Sequence, residues 1–267
     1  MASSQEEKLS VKVVEIIDNY LASESPVDPS TSAKELTTVV ESTPDRDDWI
    51  PHIIYDDILS RIRQFSHDNP IQHKLVSLLS AIKQMDSLET ANDGYWGSLR
   101  PLGMTVRELW NTAAPESLDE NIIKEWTSLN AFVARLTMEN VLSFDVYGIW
   151  AMRYALEDDT FSDRETATGK VREGELNPEE VEKYLPAAAV WIIYAGGSIW
   201  ELSKDGALGD SRAARGGPSW DRGVGYSVSR WGFWKDRFGH FGEREDLSRE
   251  TRGLARRALG IMNDIDI

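Results

Sequence analysis

"LPAAAVWIIYAGGSIWEL", residues 185–202, is apolar on nearly every side of a helix and carries no strand-like alternation. A helix of this kind has no face to offer water, so it must be wrapped by other elements. The stretch therefore predicts a central, buried helix, and the fold class turns on whether its neighbours are helices too. Upstream, "NPEE" (177–180) is a helix start: a capping asparagine, a first-turn proline, then acids at the positive end of the dipole. Pro186 is expected to kink or split the helix that follows.

Working outward, helical spacing recurs on both sides. Downstream, Ser227 reads as a cap for a helix that puts Trp231, Trp234, Phe238 and Phe241 on one face, and Ser248 caps a last helix over Leu254, Ala258 and Met262. Residues 205–225 hold six glycines and read as a loop. Upstream, Ser117–Glu120 predicts the start of a helix through Trp126, Leu129, Val133 and Leu136, and Asp145 a cap for Ile149, Met152 and Leu156. Capping boxes are also read at Thr105–Glu108 and Ser4–Glu7. Asn69-Pro70 starts a helix, and Ile54, Ile58 and Ile62 stripe another. "SESPVDPSTS" (23–32) reads as a break before a short helix over Lys34–Glu41, and "NDGYWGSLRPLG" (92–103) as a loop. The polar run 158–175 reads as an exposed connection. The expectation is an all-α fold: one irregular bundle of nine or ten helices over residues 49–267, with an acidic helical arm and linker over 1–48. That arm is expected to dock on its own body or to pair with a second copy as a homodimer.

The chain has no cysteine, which excludes disulfides, thiol nucleophiles, thiolate zinc sites and iron–sulfur clusters. Its net charge of −16 repels phosphate backbones and argues against a nucleic-acid partner. The charge is uneven: residues 1–48 hold eleven acids against four bases, and residues 205–257 eight acids against eleven bases. "MASSQEEKLSV" lacks the basic and apolar regions of a secretory signal, and no apolar run approaches the ~20 residues of a membrane helix. The expected setting is the cytoplasm, with no membrane partner.

Most catalytic signatures are missing. The histidines His52, His67, His73 and His240 form no metal-binding pair, although His52 and Asp56 share a helix face. There is no P-loop and no nucleophile elbow, and "GVGYSVS" lacks the third glycine of a dinucleotide fingerprint. "DDTFSD" (158–163) looks superficially like an aspartate-rich magnesium site, but no second carboxylate motif faces it. No metal or cofactor is expected. What remains is a set of polar and aromatic residues on otherwise apolar helices. Asp145 or Glu201 is placed to act as a base, and Arg153 or Tyr147 to polarise a carbonyl. Trp126, Asn130, Trp150, Trp191, Tyr194, Trp220 and Trp234 would wall a cavity for a small apolar metabolite. The bland reading of the same residues is core packing, with Asp145 a cap. Trp220, in its glycine loop, is expected either to pack under something or to cover something, as a lid over a pocket would.

Three stretches carry a resemblance: "WTSLNAFVARLT" (126–137), "DVYGIWAMRYALED" (145–158), and the central helix followed by "YSVSRWGFWKDRF" (226–238). In order and spacing they resemble a family of filamentous-fungal proteins known only as a domain of unknown function, over roughly residues 50–260. The resemblance implies no catalytic residue. It implies an association with secondary metabolism, since such families occur both alone and beside metabolite genes. Two functions are thus expected: a cofactor-independent isomerase or cyclase of fungal secondary metabolism, or a non-catalytic helical protein that binds a protein partner or small ligand. A cavity touching Asp145, Arg153, Trp191 and Trp234 would favour the first.

Overall fold

The computed structural model describes residues 2–22, 28–43, 52–85, 96–157 and 177–266. Every regular element among them is helical, as expected. The chain divides into two compact units, residues 1–114 and 115–267. The expected arm boundary near residue 48 falls outside the described residues.

The first unit holds α1 (Ala2–Ala22), α2 (Pro29–Glu41), α3 (His52–Gln64), α4 (Ile71–Lys83) and α5 (Arg100–Ala113). α1 and α2 do not stand off as an arm. α1 packs on α2 and α3, and α2 on α4, because Leu9, Val13, Ile17, Leu36 and Val40 form apolar stripes that are fully buried. Polar ties lock the arrangement: Tyr20 donates to the Lys74 carbonyl at 2.8 Å, and Lys74 Nζ to that of Leu21 at 3.0 Å. Arg61 on α3 pairs with Asp57 at 2.6 Å and with Asp18 of α1 at 2.5 Å.

α2 begins five residues before the expected Lys34. Asp28 accepts from the Ser30 amide at 3.1 Å with Pro29 in the first turn, so "DPS" is a start signal within what reads as a break. α5 likewise starts inside the expected glycine loop, and Thr105–Glu108 lies in its interior. The expected cap at Ser117 is displaced to Asp119, which accepts from the amides of Asn121 and Ile122. α1 runs from Ala2, ahead of the box read at Ser4.

The second unit holds α6 (Glu120–Met138), α7 (Asp145–Met152), a π-helical turn (Arg153–Glu157), α8 (Pro178–Asp205), a 3₁₀ turn (Arg212–Ala214), α9 (Val228–Glu243) and α10 (Arg249–Ile265). α8 is the central helix, packed by α6, α7, α9, α10 and the π turn. Asn177 caps it by accepting from the Glu179 amide at 3.0 Å. Pro186 does not split it: the helix runs unbroken through 28 residues. The missing amide costs one ladder bond, and the burial of residues 185–192 around it holds the rest. α8 is also the one described helix long and apolar enough to cross a membrane, and most of its apolar window is buried. At Gly196 a side chain would lie 3.1 Å from Ile265, so the small residues of "AGGS" admit α10 closely. Trp231, Trp234, Phe238 and Phe241 are at most 1% exposed, as the aromatic stripe on α9 predicts. The far end of α10 is tied to α9 by Asp266, which accepts from Trp231 Nε1 at 2.9 Å and Lys235 Nζ at 2.6 Å.

Candidate functional site

The most concentrated polar chemistry of the second unit is a buried ion pair. At the end of α7 the helix widens to π gauge, a local insertion frequent at functional sites. Its last residue, Glu157, has no exposed surface, and neither does Arg230, the third residue of α9. Glu157 Oε1 accepts from Arg230 Nε at 2.7 Å and Trp234 Nε1 at 2.6 Å. Oε2 accepts from Arg230 Nη2 at 2.9 Å and the Gly217 amide at 2.8 Å. All four acceptor positions of the carboxylate are thus filled. Arg230 donates further to the carbonyls of Ala214 (3.0 Å) and Gly225 (2.8 Å). A carboxylate so occupied has no lone pair left to take a proton from a substrate.

This pair organises the glycine loop. Gly217 approaches so closely that a Cβ there would lie 2.6 Å from the Glu157 carbonyl oxygen, which only glycine permits. Gly225 has φ of 78° and its amide donates to the Ala214 carbonyl. Trp220 is 5% exposed, donates to the Gly223 carbonyl at 3.2 Å and packs on Phe233 at 5.4 Å between centroids. The loop indole is thus buried against α9.

The structure gathers some of the expected site residues. Trp126, Asn130 and Trp191 form a closed set across α6 and α8: Asn130 Nδ2 donates to the Trp126 carbonyl and its Oδ1 accepts from Trp191 Nε1, both at 2.9 Å. Asn130 and Trp191 have no exposed surface. Asp145 is the first residue of α7, with Phe144 in the cap position. The Asp145 side chain accepts from Ser143 at 2.7 Å, and its carbonyl from Tyr226 at 2.7 Å. Burial pushes the Tyr226 phenol well above its ordinary range; the Asp145 charge adds to this and Arg230 opposes it. A Cβ at Gly148 would sit 2.7 Å from that phenol oxygen and 3.2 Å from Trp191. Trp234 meets Tyr226 edge-on at 5.9 Å. Around Trp191, Tyr226 and Trp234 the packing thus leaves no room for even one added methyl beside Gly148.

Other expected residues lie apart. Tyr147 packs between Phe144 (5.3 Å) and Trp150 (4.9 Å), and Trp150 donates to the Ala213 carbonyl at 2.7 Å. Tyr194 lies beneath the guanidinium of buried Arg135, 3.4 Å from its carbon. Arg153 opens the π turn half-buried, and its Nε has no hydrogen-bond partner among the described residues. Glu201 is the clear correction. It lies on an exposed face of α8, 66% exposed, paired with Lys204 at 2.8 Å, and lacks the desolvation a base would need. The aspartate-rich run 158–163 lies outside the described residues. Among those described, no cluster suited to a metal occurs.

Sequence reasoning missed Glu157 and Arg230. Arg230 stands four residues before Trp234, so it shares that indole's inward face, and this was visible. Glu157 was hidden, because a 3.6-residue period applied through a π turn mis-aims every residue after it.

The first unit holds a different kind of site, a cleft of about 350 Å³ between α3 and α5. From α3 it is lined by Asp56, Leu59, Ser60 and Arg63, a stripe at i, i+3, i+4 and i+7. From α5 it is lined by Thr105, Glu108, Leu109 and Thr112, the same spacing. Each stripe flanks a buried apolar one (Ile58 and Ile62; Leu102, Val106 and Trp110) that packs the helices together. At one end His52 Nδ1 and Thr105 Oγ1 lie 2.8 Å apart. Desolvation pushes the Asp56 carboxyl up, with His52 opposing. Neither Asp56 nor Glu108 has an ion-pair partner among the described residues. An apolar groove of about 730 Å³ between α1 and α2 is a further concavity among the described residues of this unit.

Comparison with known proteins finds no match among curated proteins or solved structures. A family described as "Protein of unknown function (DUF3632)" matches residues 55–238. That span covers well over half of the chain and takes in the cleft, Glu157 and Arg230, so this chain belongs to the DUF3632 family of proteins of unknown function.

Proposed function

We propose that this chain is a non-catalytic helical protein that binds a small ligand, with the tryptophan-rich second unit as a rigid scaffold. The observation that supports this most is the state of the indoles. The N–H groups of Trp150, Trp191, Trp220 and Trp234 each end on a protein acceptor. An isomerase or cyclase without cofactor needs a substrate-sized space and donors held ready for the developing charge. Around Asp145, Trp191 and Trp234 the donors are already spent and the helices touch. A buried ion pair with every bond made suits a scaffold, since it holds a loop in one conformation. Two open concavities of the described residues lie in the first unit, where polar and apolar side chains face outward together.

One observation favours the enzyme reading instead: the unpartnered Nε of Arg153, a residue expected to polarise a carbonyl. The test separates the two. Purified protein is incubated with small-molecule extract of the producing cells, and retained compounds are identified by native and chromatographic mass spectrometry. The expected result is a compound released with unchanged mass and retention time. A protein-dependent isomeric product, lost in Arg153→Ala at unchanged melting temperature, would establish the enzyme instead.

A further inference from the structure

The α3–α5 cleft carries a more specific assignment, which rests on the small-ligand reading above. We infer that it binds a short zwitterionic peptide of about three residues, with the ammonium end held by Asp56 and the carboxylate end by Arg63.

The charge layout is the first ground. The cleft is lined by two carboxylates, Asp56 and Glu108, and one guanidinium, Arg63. A simple cation would meet Arg63 as a like charge, and a simple anion would meet both acids. A molecule with one charge of each sign can set its ammonium against Asp56 and its carboxylate against Arg63. Arginine suits the carboxylate end, because its planar fork matches a carboxylate in two hydrogen bonds and keeps donors for other partners.

Length is the second ground. Asp56 and Arg63 are seven residues apart on one helix face, about 10 Å along the axis at ~1.5 Å per residue. An extended tripeptide spans at most about 10–11 Å at ~3.3–3.6 Å per residue. A free amino acid is too short to reach both. The volume, about 350 Å³, lies at the small end of ligand sites.

The middle of the cleft fits peptide chemistry. Leu59 is 2% exposed and forms an apolar floor, and Leu109 adds a second apolar wall. Glu108 is placed midway along the α5 stripe, where it can accept from a peptide amide. The hydroxyl of Thr105 donates to the Pro101 carbonyl at 3.1 Å, and that of Thr112 to the Glu108 carbonyl at 3.2 Å. Each keeps an oxygen lone pair for an incoming N–H. Desolvation of the Asp56 carboxyl without an ion-pair partner fits a site whose counter-charge arrives with the ligand.

Isothermal titration of the full chain with three probes tests this: tri-alanine, its N-acetyl form and its C-terminal amide. Tri-alanine is expected to bind, and loss of either end charge to weaken it at least about tenfold, the scale of one charge-assisted hydrogen bond. Asp56→Asn should abolish the discrimination against acetylation, and Arg63→Gln that against amidation. Asp56 is exposed and Arg63 half-buried, and thermal melts check that each variant folds. No binding of tri-alanine at millimolar concentration would overturn the inference. So would equal binding of all three probes, or binding that both variants leave intact. Failure here leaves the small-ligand reading to its own test, because the extract experiment does not depend on this cleft.

Discussion

Glu157→Gln should destabilise the second unit by about 3–5 kcal/mol, the range for removing one partner of a buried ion pair. The geometry explains why so isosteric a change is costly. Oε1 faces Arg230 Nε and Trp234 Nε1; Oε2 faces Arg230 Nη2 and the Gly217 amide. Whichever way the glutamine amide turns, its NH₂ meets two donors. Arg230, with no exposed surface, is left charged with nothing to neutralise it. For a unit of this size each kcal/mol moves the midpoint by about 2–4 °C, so melting should fall by roughly 6–20 °C. The assay is urea and thermal unfolding followed by far-ultraviolet circular dichroism and tryptophan fluorescence. The double variant Glu157→Leu/Arg230→Met removes both charges and should cost less than the sum of the single changes. It should not recover fully, because the carbonyls of Ala214 and Gly225 lose their Arg230 donor. A loss below about 1 kcal/mol in Glu157→Gln would refute the reasoning, since it would mean that water or another donor arrangement already serves Arg230.

Two other changes probe the same framework. Gly217→Ala drives a methyl onto the Glu157 backbone, 2.6 Å from its oxygen, and should cost about 1–3 kcal/mol in urea melts while shifting Trp220 emission. At Asp266, burial pushes the carboxyl up, but the hydrogen bonds from Lys235 and Trp231 outweigh it and hold it below the usual carboxylate range. Its contribution is therefore present above the unfolded value near 4 and lost as pH falls through the lower folded value. Asp266→Asn should cost about 1 kcal/mol at neutral pH, and the gap from wild type should close in acid melts below about pH 4.

Much of the second unit was legible from local chemistry. Asn177-Pro178, Ser227 and Ser248 each cap the helix they announce, because a short polar side chain before a helical period has few other uses. The central apolar helix was legible from its composition, though its continuity through Pro186 was not. Other readings failed where a local signal had two meanings. Asp28-Pro29 reads as a breaker and acts as a start; Thr105–Glu108 reads as a box and lies mid-helix. Pro186 does not split its helix, because it lies in a stretch buried from Leu185 to Ile192 and tertiary packing offsets its local cost. The expected cavity is a different case. Buried aromatics with polar partners look alike in sequence whether they wall a space or fill it. The decision lies in contacts far apart along the chain, such as Asn130 with Trp191, or Gly148 with Tyr226. The α3–α5 cleft was half legible, through the shared face of His52 and Asp56, but its second wall required the structure.

The central claim is that the tryptophan-rich unit is a filled scaffold. Hydrogen exchange of the indole N–H groups, read by NMR on the unmodified chain, tests it most directly. Trp191 and Trp234 donate to buried acceptors and have no exposed surface. Their indole protons should persist long after transfer to D₂O and exchange only with opening of the second unit. Loss of both signals within the dead time would contradict the account, since it would place open, hydrated space beside those indoles and restore the pocket.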